Sequence, residues 1–312
     1  MRGADLARLD ARARERGIAL ERDVPLAPLT TLRVGGPADR LVVARDADTL
    51  LAALRLGRDA AVPTFVLGNG SDLVVADAGM RGLVVRNRAR GMRIDGARVQ
   101  ADAGAAMAML VKRCAGAGLA GLEFGISIPG TLGGAVWANA GAHGREMRDV
   151  VTAVTAWDPA GDDEPYEVGA ADCGFAYRES RFKHGAELIL GADLALDHAD
   201  PAAVSAEVGG YQAQRLATQP LADQNAGSVF RNPPGDYAGR LADAAGLKGF
   251  RIGSASVSTK HANFIISDRG GSAADVRAVG DHVRRTVEEL FGVRLVYEIE
   301  FVGDWPEQEE AE

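Results

Sequence analysis

The chain has 312 residues, 47% hydrophobic and 25% charged, which excludes a disordered or collagen-like polymer. At ~100–200 residues per domain, two or three domains are expected. Lysine and arginine number 35 against 43 aspartates and glutamates, a net charge of −8; this argues against nucleic-acid binding through a generally basic surface, and an anionic small molecule would need local cations.

The N-terminus has no apolar leader core, so a cytoplasmic protein is expected. Asp5–Arg16 suits an amphipathic helix, with Leu6, Leu9 and Ala13 on one face and Gly17 as its stop. Asp39–Ala44 reads as a strand, and Asp46 as the cap of a helix carrying Leu50, Leu51 and Leu54. Strands at Thr64–Leu67 and Leu83–Val85 flank a glycine-rich turn, Gly68-Asn69-Gly70-Ser71. Ile94-Asp95-Gly96-Ala97 predicts a hairpin with a type I′ turn. A helix follows over Ala105–Ala115, then the glycine-rich stretch Gly121–Gly144, then strands at Val150–Trp157 and Glu187–Leu196. Asp162-Asp163-Glu164 reads as a solvated loop. Asp200 caps a helix that begins at Pro201 and runs to Thr218, weakened in its middle by Gly209-Gly210. The last hundred or so residues read as an α+β unit: a strand at Ser228–Phe230, a helix at Tyr237–Ala245, and strands at Val257 and Asn263–Ser267. A long helix capped by Ser272 and a closing strand at Arg294–Val302 complete it, and Asp304–Glu312 reads as an acidic, disordered tail.

The turn at Gly68–Ser71 exposes backbone N–H groups that suit a diphosphate. It is not a Rossmann fingerprint, since Leu73 stands where a third glycine is needed, and no Walker lysine follows. The stretch Gly125–Gly144 is costly in conformational entropy, and close approach of backbone to a large ligand explains it. Gly125-x-Ser127-x-Pro129 lacks the last glycine of a nucleophile elbow. The histidines show no metal-binding spacing, so no metal is expected. Cys114 and Cys173 form no CxxC pair and read as buried free thiols. In the closing strand Val296, Glu298 and Glu300 share one face, opposite Leu295, Tyr297, Ile299 and Phe301. Two carboxylates on that face are solvated unless the face meets a site.

Seven segments in one order resemble a single family: Thr30–Ala38, Leu67–Leu73, Gly125–Gly144, Tyr177-Arg-Glu-Ser180, Gly227–Pro233, Ala244–Gly249 and Val257–Phe264. The chain resembles the UDP-N-acetylenolpyruvoylglucosamine reductases (UDP-N-acetylmuramate dehydrogenases) of peptidoglycan precursor synthesis. The uninterrupted Gly130–Gly141 run resembles the shorter form, which lacks an extra tyrosine-bearing loop.

The resemblance implies an α+β fold with FAD bound as in vanillyl-alcohol-oxidase/PCMH-type proteins. Two FAD-binding subdomains are expected at residues 1–90 and 91–200, an α+β substrate-binding domain at 201–303, and a tail at 304–312. It implies non-covalent FAD, NADPH as reductant and UDP-N-acetylglucosamine enolpyruvate as substrate, with no nucleic-acid or membrane partner. The residues carried over as catalytic are Arg178, Ser228 and Glu298; Glu298 is preferred to Glu300 because it lies five residues before Gly303. FAD contacts are expected at Arg33, Leu67, Gly68, Asn69, Gly70, Ser71, Asp72, Ile128, Pro129, Gly130, Gly133, Gly134, Ala135, Asn139, Ala140, Gly141 and Ala142. Substrate contacts are expected at Tyr177, Arg215, Arg231, Asn232, Lys248, Lys260 and His261. Two residues depart from the family pattern: Arg231 stands where lysine is common, and Asp72 where asparagine is. A flavin oxidoreductase with another substrate and a non-catalytic nucleotide-sugar-binding protein are the competing readings.

Overall fold

The computed structural model describes residues 3–306. Its first sheet holds four strands in the order Glu21–Pro25, Pro37–Ala44, Met80–Asn87 and Thr64–Leu67, the last three mutually parallel. Pro37–Ala44 and Met80–Asn87 are buried along nearly their whole length because both faces are covered, and each has an apolar centre, Leu41–Val43 and Leu83–Val85. The covering helix, Ala47–Asp59, starts where Asp46 accepts from Thr49 N at 2.8 Å and Thr49 Oγ1 accepts from Asp46 N at 3.2 Å. It buries Leu50, Ala53 and Leu54.

The second sheet is antiparallel, in the order Tyr166–Gly169, Val151–Trp157, Leu188–Ala195, Arg98–Asp102 and Met92–Asp95. Trp157, at the end of its strand, is fully buried among Leu50, Leu54 and Leu190, so the two sheets share a core there. The helix Met107–Gly116 packs beneath this sheet. The helix Pro201–Thr218, expected to open the third unit, buries Val204 and Val208 in that same core.

A third, smaller antiparallel sheet pairs Gln224–Asn225, Ile265–Ser267, Ala255–Val257 and Arg251–Ile252 in that order. The helix Ala273–Phe291 covers it with Val276, Val279, Val283 and Val287. Ser272 caps the start of that helix, accepting from Ala274 N at 3.1 Å, and Gly292, at φ +65°, ends it in the left-handed conformation that favours glycine. The chain then returns to the first unit: Glu300–Val302 pairs in parallel with Leu73–Val75, Glu300 opposite Leu73. That return brings the segment carrying Glu298 and Glu300 to the turn after Leu67.

Several expectations are corrected. Only Glu300–Val302 of the expected closing strand is paired as strand, because Leu295–Ile299 turns inward to pack Leu295 and Ile299 in the third core. Ser228–Phe230 is not a strand but carries one bridge, Phe230 to Tyr297. The Asp-Gly hairpin has a positive φ at Gly96 and not at Ala97, so its turn is not type I′. The glycine-rich stretch is folded rather than open: it contains a six-residue helix, Leu132–Trp137, and a tight pairing of Gly141–Ala142 with Arg145–Glu146. Asp163 is paired with Arg58 at 2.6 Å and with Arg55 at 3.1 Å, not merely solvated. Of the expected tail, Trp305 packs against Phe301 at 5.4 Å between ring centroids; residues 307–312 lie outside the described residues. Cys114 and Cys173 are buried and unpaired, and burial pushes both thiols up to about 11. No helix among the described residues is long and apolar enough to cross a membrane.

Candidate functional site

One cavity of about 930 Å³ runs between the two larger sheets and reaches the third unit. That is near the upper end of the usual ~300–1,000 Å³ for ligand sites, so a large ligand fits. One wall is backbone. Gly70 stands at φ +61°, and a Cβ there would lie 2.8 Å from the Leu29 carbonyl oxygen. A Cβ on Gly68 would lie 2.7 Å from Thr131 Oγ1, so the turn and the glycine-rich stretch meet only because side chains are missing. Asn69 Nδ2 donates to the carbonyls of Pro129 (3.1 Å) and Gly130 (3.2 Å), and its Oδ1 accepts from Arg88 at 3.2 Å. The N–H groups of Asn69, Gly70 and Ser71 donate to no protein acceptor among the described residues. They border a cavity walled by Ile128–Gly130, Gly133–Ala135 and Ala140–Ala142. Open donors beside glycine cradles suit the diphosphate of a bound dinucleotide.

The opposite wall is charged. Ala176 and Glu179 bond reciprocally, 3.1 and 3.0 Å, and close a tight turn over Tyr177-Arg178. Arg178 occupies φ +58°, a left-handed conformation that costs a non-glycine residue roughly 1–3 kcal/mol. The turn points its guanidinium across the cavity, where Nε donates to Glu298 Oε1 at 2.6 Å and a terminal nitrogen donates to the Gly141 carbonyl at 3.1 Å. Burial works against the Arg178 charge, but attraction to Glu298 more than offsets it and holds the group above the ordinary guanidinium range. Glu298 is held in turn by its backbone N–H, which donates to Val229 O at 2.8 Å. Ser228, the neighbour of Val229, lines the same cavity, and its hydroxyl has no protein partner among the described residues.

Arg178, Ser228 and Glu298 therefore line one cavity, although they are separated by up to 120 residues of sequence. Of the two glutamates on the returning segment, Glu298 meets Arg178, while Glu300 pairs with Lys183 at 3.1 Å. Asp72 lies beside them, its carbonyl accepting from Glu300 N at 3.0 Å. Burial first, then the charges of Glu298 and Glu300, push the Asp72 carboxyl well above the usual carboxylate range against the pull of Lys183 and Arg178.

Most of the expected flavin contacts border the cavity; Arg33, Leu67 and Asn139 do not. Arg33 is exposed and donates to Pro28 O, and Leu67 is buried in the first unit's core. Asn139 is buried with its amide engaged by Glu146, Ala176 O and Arg148 N, so it tethers the Arg178 turn to the glycine-rich stretch.

Of the expected substrate contacts, Arg215 borders the cavity, and burial lowers its pKa. The others stand outside that lining. Tyr177 accepts from Asn232 N at 3.3 Å, and Asn232 Oδ1 accepts from Ala238 N at 3.1 Å. Arg231 pairs with Glu179 at 2.7 Å, and Lys248 with Asp243 at 2.7 Å. Lys260 donates to Leu216 O at 2.7 Å, and His261 is pushed down by burial and by Lys248. Sequence reasoning missed Lys183, Glu300 as its partner, and His143. His143 stacks on Tyr211 at 3.8 Å and lies 2.8 Å from Ser127 Oγ.

Residues 38–162 match the model of an FAD binding domain, and residues 219–302 match the C-terminal domain of UDP-N-acetylenolpyruvoylglucosamine reductase. UDP-N-acetylenolpyruvoylglucosamine reductase 2 of Symbiobacterium thermophilum is 45% identical over 92% of this chain and 93% of its own length. The reductase of Anaeromyxobacter sp. strain Fw109-5 is 45% identical over 96% of this chain and 93% of its own. Among solved structures, UDP-N-acetylenolpyruvylglucosamine reductase from Thermus caldophilus superposes with a TM-score of 0.78 at 33% identity, covering 93% of this chain and all of that one.

Proposed function

The chain belongs to the UDP-N-acetylenolpyruvoylglucosamine reductase family of FAD-dependent oxidoreductases, and from that premise we propose that it reduces the enolpyruvyl ether of UDP-N-acetylglucosamine enolpyruvate to UDP-N-acetylmuramate in the cytoplasm, with NADPH as reductant. The observation that carries this reading is the convergence of Arg178, Ser228 and Glu298 on one cavity whose far wall is open backbone. The Gly68–Asp72 turn and the Ile128–Ala142 stretch would hold FAD non-covalently, and the bound flavin would supply the hydride drawn from NADPH.

The chain's own residues handle charge and one proton. Hydride arrives at the terminal methylene carbon, and the double-bond pair moves onto the carbon bearing the carboxylate. Arg178 faces the negative charge that grows on that carboxylate, where a fixed cation in a dry site stabilises the transition state more than the ground state. Glu298 fixes the guanidinium through its Nε, so the fork is aimed before the anion forms. The Ser228 O–H gives its proton to the carbon beside the carboxylate, completing the saturated ether, and the serine recovers a proton from solvent. A hydroxyl with no protein acceptor is free to turn toward substrate. Arg215 borders the cavity and is the cation placed to meet the UDP portion, while Arg231, Lys248 and Lys260, paired with Glu179, Asp243 and the Leu216 carbonyl, would have to leave those partners to reach it.

The test separates the two half-reactions. With Ser228→Ala, NADPH is expected to bleach the flavin at close to the parental rate, while anaerobic reoxidation by the enolpyruvyl sugar collapses. Equal loss of both halves would count against Ser228 as the proton donor.

A further inference from the structure

We propose that Lys183 is the positioning residue of this site: its ammonium holds the left-handed Arg178 backbone and the Glu300 carboxylate together, and thereby aims the guanidinium that meets the substrate. The inference rests on the reading of Arg178 given above.

Lys183 borders the cavity, yet its side chain is only 7% exposed. Its ammonium pairs with Glu300 Oε1 at 3.1 Å, donates to the Arg178 carbonyl at 3.4 Å, and sits over the Trp137 ring at 4.4 Å from the centroid. Those three partners surround the charge, so the group acts through its neighbours rather than on substrate. Each partner belongs to a different segment of the chain: the Arg178 turn, the returning C-terminal segment, and the helix inside the glycine-rich stretch. Ser180 reinforces the clasp, its hydroxyl donating to Trp137 O at 2.7 Å. Lys183 meets the Arg178 carbonyl with Arg178 at φ +58°, so the contact is made to the turn in its left-handed form. Removing the ammonium frees that strained turn to relax, and displacement of a charge-stabilising group by an ångström costs on the order of 10²-fold in rate.

Lys183→Met tests this in the holoenzyme, because the thioether keeps the length of the side chain and its packing on Trp137. The expected result is normal flavin binding, flavin reduction by NADPH within about threefold of the parent, and reoxidation by the enolpyruvyl sugar slowed roughly 10²-fold with little change in half-saturation. Lys183→Arg, which keeps the charge, is expected to recover part of that loss. Unchanged reoxidation, or equal slowing of both half-reactions, overturns the proposal. If Lys183→Met fails to bind flavin, Glu300→Ala decides: loss confined to reoxidation supports the inference, and no loss overturns it. Arg178→Lys is measured alongside. If it leaves reoxidation intact, the reading of Arg178 fails; if it slows reoxidation and Lys183→Met does not, the role of Lys183 alone fails.

Discussion

The two walls of the cavity are built from opposite materials. The Gly68–Ser71 turn and the glycine-rich stretch make a surface from backbone, and their packing depends on the absence of side chains. The Tyr177–Lys183 turn makes a surface from side chains, and its geometry depends on paired charges: Arg178 with Glu298, Arg231 with Glu179, Lys183 with Glu300. Both use left-handed backbone. On one side glycine supplies it at Gly70; on the other a full arginine is forced into it at Arg178. Glycine adopts that conformation at no steric cost, whereas Arg178 needs the reciprocal bonds of Ala176 and Glu179 and the contact with Lys183. A wall that binds can be made by omission. A wall that stabilises developing charge needs groups fixed before the charge appears.

Variants should therefore fail in different ways on the two sides. Arg178→Lys keeps a positive charge but loses the planar fork that reaches Glu298 and Gly141 together. Reoxidation by substrate is expected to fall ~10²–10³-fold while flavin content is kept. Stopped-flow traces of the two half-reactions measure this, and parallel slowing of both would erase the distinction between the walls. Gly70→Ala acts on the other side. The new Cβ would lie 2.8 Å from Leu29 O, at φ +61°. The strain, ~1–3 kcal/mol, corresponds to a flavin dissociation constant raised roughly 5- to 150-fold, with both half-reactions of the residual holoenzyme near normal. Titration of the apoprotein with FAD reads it directly, and an unchanged constant would show that the cradle is not held as tightly as its contacts indicate.

The backbone wall was the more legible of the two. Glycine spacing after an apolar strand marks a turn, and the Asp46, Asp200 and Ser272 caps fall where the sequence puts them, because capping is local chemistry. Resemblance supplied Arg178, Ser228 and Glu298, but not the pairing between them. The Arg178–Glu298 contact spans 120 residues and exists only because Glu300–Val302 docks beside Leu73–Val75. Period-2 alternation puts Glu298 and Glu300 on one face, yet only Glu300 lies in paired strand, so their different partners were not readable. Nothing in the local sequence around Lys183 marks it out. Its burial comes from Trp137, a residue of the glycine-rich stretch, and no local pattern links the two.

The smallest expected effect concerns Asp72, where the two walls touch. A charged carboxylate beside a diphosphate cradle is unfavourable. Burial first, then the charges of Glu298 and Glu300, push its pKa well above the ordinary range, which favours the neutral form and lessens the difficulty. A protonated aspartic acid presents nearly the shape and polarity of asparagine. Because the folded value lies above the unfolded one (~3.9), this carboxyl's contribution to stability is complete below about pH 4 and is lost as pH rises through the folded value. Asp72→Asn carries no such proton. Across that window the stability of the parent should fall relative to the variant by at most ~1.4 kcal/mol per pH unit, as measured by urea midpoints at matched flavin saturation. Parallel profiles would mean that Asp72 ionises as freely in the folded chain as in the unfolded one, and that the cradle tolerates a negative charge its open N–H groups should otherwise compete for.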